Sequence, residues 1–334
     1  MRVKTLVIAE AGVNHNGKLS RAIKMVDLAA KAKADYVKFQ TFVPENLSQK
    51  KMNLAQYQKV NSKFPDQLKM LKKYSLSFKD FKKIKARCIR KKINFMTSPF
   101  DEESVKIIKK LNLQFVKIPS GEITNIPLLR SIGKLGKKII LSTGMSNLQE
   151  IKKAIQILLK SGIKKNYISI LHCNTQYPAD SSKLNLMSIK YLKDKLKMRI
   201  GFSDHSLGIS ASIMALSFGA SILEKHFTLS KKLKGPDHSA SLSPKELIEY
   251  VREVRVFEKS IGNYEKKPYK QELVNLNIVR KQIVAKKKIL KGQIFSLENI
   301  TTKRAKKGIP ASKWDRVIGT KSKFNFDTDQ NIKT

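Results

Sequence analysis

The sequence predicts an α/β protein: a (β/α)8 barrel followed by a small, mostly-β C-terminal domain. Three observations carry this. Short apolar runs alternate with amphipathic runs of helical period, eight times over, through residues 1–262. The apolar runs are rich in β-branched residues and nearly continuous, as expected of parallel strands covered on both faces. Beyond residue 280 the pattern changes to short strand-like pieces broken by Gly292. Eight βα units in about 260 residues fit a closed barrel, with a doubly wound open sheet as the alternative.

The first strand is "LVIAEAG" (6–12), followed by a helical pattern at 19–34. "YVKFQTF" (36–42) comes next and leads into a polar excursion over 43–77, too long for an ordinary βα loop and therefore expected to carry function. A helix at 78–92 precedes "INFMTSPF" (93–100). "FVKIPSGEI" (115–123), "KIILSTGM" (138–145), "YISILHCNTQYP" (167–178), "RIGFSDHS" (199–206) and "SILEKHFTL" (221–229) complete the strands, and a helix over 244–262 closes the set. Residues 263–280 are polar and read as a linker with some helical character. Residues 281–334 form a unit too small to make a comfortable core alone, which is expected to lean on the barrel or on another subunit.

A hydrophobic fraction of 41% supports a sizeable core. Two cysteines, Cys88 and Cys173, cannot make a disulfide framework and suit a reducing cytoplasm. No apolar run approaches the ~20 residues needed to span a bilayer, so no membrane role is expected. The net charge of +42 would suit a nucleic-acid partner, but the lysines are spread over solvated helix faces, as in "KKIKARCIRKK" (82–92). No recognition motif with interleaved aromatics accompanies them, so no nucleic-acid function is expected.

Active sites of barrels lie at the carboxyl ends of the strands. Those ends carry Glu10; Lys38 and Gln40; Thr97 and Ser98; Lys117, Ser120 and Glu122; Ser142 and Thr143; His172, Asn174 and Thr175; Ser203, Asp204 and His205; Glu224 and His226. The strand period of two puts Glu224 and His226 on one face and turns Lys225 toward the helix layer, where it reads as one more outward lysine. His205 and His226 on adjacent strands could share a divalent cation or could be hydrogen-bonded core histidines. Two lysines and several hydroxyls at one mouth suit a phosphate- or carboxylate-bearing substrate. Lys38 or Lys117 could instead form an imine, which leaves a Schiff-base aldolase as a competitor. A non-catalytic, basic polymer-binding barrel is the alternative from another class. Neither a GxxxxGK[ST] loop nor a GxGxxG fingerprint is present.

The segments "AEAGVNHNG" (9–17), "VKFQTF" (37–42), "TSPFD" (97–101), "KIPSGE" (117–122), "LSTGM" (141–145), "LHCNTQYP" (171–178), "GFSDHS" (201–206), "EKHFTL" (224–229) and "GPDHSAS" (235–241) occur in order. Together they resemble the sialic acid synthase family, the N-acetylneuraminate and legionaminate synthases, over essentially the whole chain. "VAKKKILKGQIFSLENITTKR" (284–304) is similar to that family's antifreeze-like (SAF) domain.

The resemblance implies condensation of phosphoenolpyruvate with an N-acetylated hexosamine, N-acetylmannosamine, to give N-acetylneuraminate and phosphate for cell-surface polysaccharide. The alternative is an N,N'-diacetyllegionaminate synthase using 2,4-diacetamido-2,4,6-trideoxymannose. It implies a divalent metal, Mn2+ foremost with Mg2+ or Co2+ as substitutes, on His205 and His226. Lys38, Ser98, Lys117, Ser120, Thr175 and Ser203 would hold phosphoenolpyruvate, and Glu10 and Glu122 would handle protons or sugar hydroxyls. Gln40, Asn61, Tyr177 and Asp237 would contact the sugar. Arg304 would reach the N-acyl group in a partner's barrel, implying a domain-swapped homodimer. The family follows that arginine with Pro-Gly, whereas here Ala305 and Lys306 follow it.

Overall fold

The computed structural model describes residues 4–61 and 63–333, and for Val60 and Asn61 the backbone only. The chain divides into two compact units, Met1–Gly262 and Asn263–Thr334.

The first unit carries eight parallel strands: β1 (Leu6–Gly12), β2 (Tyr36–Thr41), β3 (Asn94–Pro99), β4 (Phe115–Ile118), β5 (Lys138–Ser142), β6 (Ile168–Cys173), β7 (Arg199–Asp204) and β8 (Ile222–His226). Their spatial order is β3-β2-β1-β8-β7-β6-β5-β4, and β3 and β4 at its two ends are themselves neighbours, which closes the barrel. Helices follow the strands, and several of them start on side-chain caps. Asp101 accepts from the Ser104 amide and Asn147 from the Glu150 amide, while Ser243 and Glu246 form a reciprocal capping box. The main apolar core lies between the strands and these helices.

A second apolar cluster fills the barrel itself: Ile8, Tyr36, Met96, Phe115, Ile140, Leu171 and Ile222, one from each strand but β7. On β7 the matching level is Gly201, where a Cβ would collide with the Ile222 carbonyl and come within 2.6 Å of Leu171 Cδ2. Two residues further along every strand the inward side chain is polar or a thiol: Glu10, Lys38, Ser98, Lys117, Ser142, Cys173, Ser203 and Glu224. One pleat thus takes all eight strands from an apolar floor to a chemical layer.

The excursion over 43–77 contains short helices Pro44–Leu47, Gln56–Asn61 and Gln67–Tyr74. Phe42, Leu54, Met70 and Tyr74 pack with Val13 into a small apolar cluster of their own.

In the second unit, a helix over Lys270–Val279 occupies much of the segment expected as a linker. Strands β9 (Lys281–Ala285) and β10 (Ile300–Arg304) pair antiparallel. Isolated bridges such as Ile289 to Phe326 extend that pairing over a core of Ile283, Ile289, Phe295, Ile300, Phe326 and Ile332. Among the described residues no helix is long and apolar enough to cross a membrane.

Candidate active site

The chemical layer opens into a cleft of about 330 Å³ at the carboxyl end of the barrel. Its floor is an arrangement of four buried charges. Lys38 Nζ lies 2.9 Å from Glu10 Oε2 and 3.6 Å from Glu224 Oε2, and Lys117 Nζ lies 3.2 Å from Glu224 Oε1. Lys38 also donates to Ser98 Oγ at 3.1 Å, and Ser203 Oγ donates to Glu224 Oε1 at 3.0 Å. Strand register creates this grouping, since Glu10 stands between Lys38 on β2 and His226 on β8, while Glu224 stands beside Ser203 on β7.

The two carboxylates are driven apart electrostatically. Burial pushes Glu224 up, but Lys117 and Lys38 overcome this and bring it down to about 2. Glu10 is raised to about 7 by burial, which the attraction of Lys38 only partly offsets and the negative Glu224 reinforces. Burial also lowers Lys117, although Glu224 resists that shift. For Lys38 the burial penalty is outweighed by Glu10 and Glu224, leaving it raised. The mouth is therefore a balanced set of charges, with one carboxyl poised to take a proton near neutrality, and not the simple basic funnel that two lysines imply.

The histidines stand on one side of this floor. His205 and His226 have ring centroids 5.5 Å apart. Tyr177 stacks on His205 at 4.0 Å, meets His226 edge-on at 5.5 Å, and its hydroxyl is 2.9 Å from His205 Nε2. Burial holds His226 well below the ordinary imidazole value, and positive neighbours reinforce this. Its Nδ1 has no hydrogen-bond partner among the described residues and lies 4.0 Å from Asp237 Oδ2. Asp237 itself is raised to about 6 by burial. Gly12 permits this packing: at φ +51° a Cβ there would stand 3.2 Å from His226 Cε1.

Of the residues expected at the site, Glu10, Lys38, Gln40, Ser98, Lys117, Ser120, Glu122, Thr175, Tyr177, Ser203, His205 and His226 all line the cleft. Ser120 Oγ accepts the Gly144 N–H at 2.9 Å, and Thr175 packs against the same glycine. Glu122 sits half-buried, accepts from Asn125 Nδ2 at 2.7 Å, and is raised by burial. Asp237 adjoins the site through His226. The side chain of Asn61 lies outside the described residues. Arg304 ends β10 in the second unit and is exposed.

Other strand-end residues turn away. His172 Nε2 bonds the Leu184 carbonyl, and Thr143 Oγ1 donates to the Leu171 carbonyl. Lys225 does face the helix layer, but it is not a solvated lysine: it is 2% exposed and ion-paired to Asp204 at 2.9 Å. Sequence reading also missed Tyr57, which stacks on Tyr177 with ring centroids 4.9 Å apart, and the apolar wall of Phe42, Leu47, Met70, Leu71 and Phe100. Most of these lie in the 43–77 excursion, which has no strand period to orient a side chain. Cys173 was missed as a cleft residue although its period-two position above Leu171 marks it as inward.

A (β/α)8 barrel whose carboxyl end gathers two buried lysines, opposed carboxyls, hydroxyl donors and two imidazoles is an enzyme built to work on a small anionic substrate. The chain belongs to the NeuB family, the sialic acid synthases, whose model matches residues 25–266. An N,N'-diacetyllegionaminic acid synthase of Campylobacter jejuni is 47% identical over 331 residues, covering 99% of both chains. A protein of the same description from Legionella pneumophila is 38% identical, covering 98% of this chain and 92% of its own. The crystal structure of an N-acetylneuraminic acid synthetase from Leptospira borgpetersenii superposes with a TM-score of 0.72 at 33% identity, over 82% of this chain and 91% of that one.

Proposed function

We propose that this enzyme condenses phosphoenolpyruvate with 2,4-diacetamido-2,4,6-trideoxymannose and water to give N,N'-diacetyllegionaminate and phosphate. The observation that carries this choice is the 47% identity, end to end, with the Campylobacter legionaminic acid synthase. The neuraminic acid synthetase structure stands at 33%. N-acetylmannosamine, the substrate expected first from sequence, becomes the competitor. The apolar wall of Phe42, Leu47, Met70, Leu71 and Phe100 agrees with a sugar that is deoxygenated at C6 and carries two N-acetyl methyls.

In this reading Lys38 and Lys117 face the carboxylate and phosphate of phosphoenolpyruvate. Ser98, Ser120, Thr175 and Ser203 supply hydroxyl donors around it. Carbon C3 of phosphoenolpyruvate bonds to the sugar aldehyde carbon, water adds at C2, and the C2–O bond to phosphate breaks with phosphate leaving. Glu10, holding a proton up to about pH 7 beside His226, is placed to move the proton at the aldehyde oxygen. Glu122, half-exposed, suits contact with a sugar hydroxyl, as do Gln40, Tyr177 and Asp237.

Among the described residues no three His, Cys, Asp or Glu side chains form a ready metal cage. His205 and His226 nevertheless fit a divalent cation that keeps water and substrate oxygens in its remaining positions. The neutral His226 has a buried nitrogen without a partner, and His205 bonds the Asn174 carbonyl through Nδ1, leaving Nε2 toward Tyr177 and the cleft. Burial pushes His205 down, but Cys173 at 3.8 Å and the Asn174 carbonyl hold it above its ordinary value. Mn2+ foremost, or Mg2+ or Co2+, would supply Lewis-acid polarisation of the aldehyde. Arg304 would act on the N-acyl group in a partner's barrel, within a domain-swapped homodimer of the cytoplasm.

The test is phosphate release from phosphoenolpyruvate with each sugar in the presence of Mn2+. A higher kcat/KM for the trideoxy sugar is expected. Preference for N-acetylmannosamine would return the neuraminate assignment, and no release with either would overturn the reaction itself.

A further inference from the structure

The lysine between the two inward residues of β8 points away from the cleft, yet the barrel buries it. A buried ammonium costs stability unless it is paired and its donors are satisfied. Among the described residues Lys225 meets that demand at the end of β7 and the turn that follows it. Its Nζ lies 2.9 Å from Asp204 Oδ2 and donates to the Ser206 carbonyl at 2.8 Å. Asp204 and Lys225 are register partners across the two strands.

Asp204 in turn is saturated. Its Oδ1 accepts the Ser206 N–H at 2.8 Å and the Ser206 hydroxyl at 2.7 Å, and its Oδ2 accepts Ser212 Oγ at 2.6 Å. The carboxylate therefore folds over the backbone of the intervening residue, His205, and closes a turn around it. Lys225 grips the far side of that turn from the next strand. Its own chain neighbour is His226. Both imidazoles of the cleft thus hang from backbone that this one ion pair fixes, one immediately after Asp204 and the other immediately after Lys225. Alternation makes this possible, because outward residues at these positions can be clamped without entering the site.

We propose that Lys225 and Asp204 are positioning residues that hold His205 and His226 at the separation a divalent cation requires. This rests on the two-histidine metal reading. Groups that orient metal ligands commonly change affinity by 10- to 100-fold when removed. An ion pair serving only barrel stability would leave affinity intact wherever the barrel folds.

The test uses metal-stripped full-length enzyme titrated with Mn2+, free ion being followed by its paramagnetic resonance signal. Lys225→Met alone strands the Asp204 charge, so the double variant Lys225→Met with Asp204→Asn is measured beside it to remove both charges. The double variant is expected to keep a native circular dichroism spectrum while its Mn2+ dissociation constant rises about tenfold or more. An affinity within twofold of wild type in a folded double variant would overturn the proposal. So would failure of that variant to fold, which would assign the pair to stability. If the wild type takes up no Mn2+, the metal reading falls and this inference falls with it.

Discussion

Glu10 shows how one residue's surroundings set its chemistry. It shares the chemical layer with Glu224, yet the two carboxyls differ by several pH units because Glu224 touches both lysines and Glu10 only Lys38. With Glu10 raised to about 7, a polyanion entering beside it must push its proton affinity higher still. Binding of phosphoenolpyruvate at pH 7.5, where a group at about 7 is already about a quarter protonated, should therefore take up as much as about three-quarters of a proton. Calorimetric titrations in buffers of different ionisation enthalpy measure that uptake directly. Glu10→Gln should bind without it, and equal proton uptake in the variant would remove Glu10 from this role. His226 invites a second substitution. His226→Ala should leave the barrel folded by circular dichroism but lower turnover about a hundredfold or more, as loss of a Lewis acid would. Near-wild-type turnover with Mn2+ would sink the two-histidine site.

At the scale of the element, the strand period accounts for most of what the sequence disclosed. Ile8 and Glu10, Phe115 and Lys117, or Ile222 and Glu224 are each two apart, so a floor residue and a site residue are readable as a pair in plain text. That is why the barrel, the lysines, the serines and the histidines were legible. Tyr57 and the apolar wall were not, because a loop's short helices take their orientation from packing on Val13 and Phe42, which no local pattern announces. Lys225 was read correctly in direction and wrongly in environment: period gives the face, but only the fold shows that Asp204 covers it. Gly201 is the floor's counterpart to these side chains. A methyl group there has no room beside Leu171 and the Ile222 carbonyl. Gly201→Ala should cost roughly 1–3 kcal/mol by overpacking and lower the melting temperature. Gly121, on the cleft rim, is the control: a methyl group there would meet open space, and Gly121→Ala should leave the melting temperature unchanged. Equal behaviour of the two variants would mean the floor yields.

For the whole molecule, acid is the revealing variable. Four of the five histidines sit below the ordinary imidazole value. His15 and His238 are each lowered to about 4, chiefly by burial, and His238 is held by Thr228 and Asn16. An unfolded chain protonates these groups near 6.5, whereas the folded chain refuses the proton until about 4, so their contribution is lost as pH falls through that window. For the fully buried His15 alone this is on the order of 3 kcal/mol. Glu10 and Asp237, raised to about 7 and about 6, act with the opposite sign: folding costs more as pH rises through their windows. The four lowered histidines outweigh the groups that the fold raises, Glu10, Asp237, Glu122 and His205, because each added proton on a chain of net charge +42 also increases self-repulsion. Stability should therefore fall from pH 6.5 to pH 4. The effect has an address, because residues 263–334 contain no histidine and form their own compact unit. In scanning calorimetry across this range the barrel's transition should drop by several degrees while that of the C-terminal unit stays nearly fixed. His238→Asn should flatten the barrel's slope. A barrel transition that is flat or rises toward pH 4 would show that the cleft carboxyls, and not the buried imidazoles, govern its acid response.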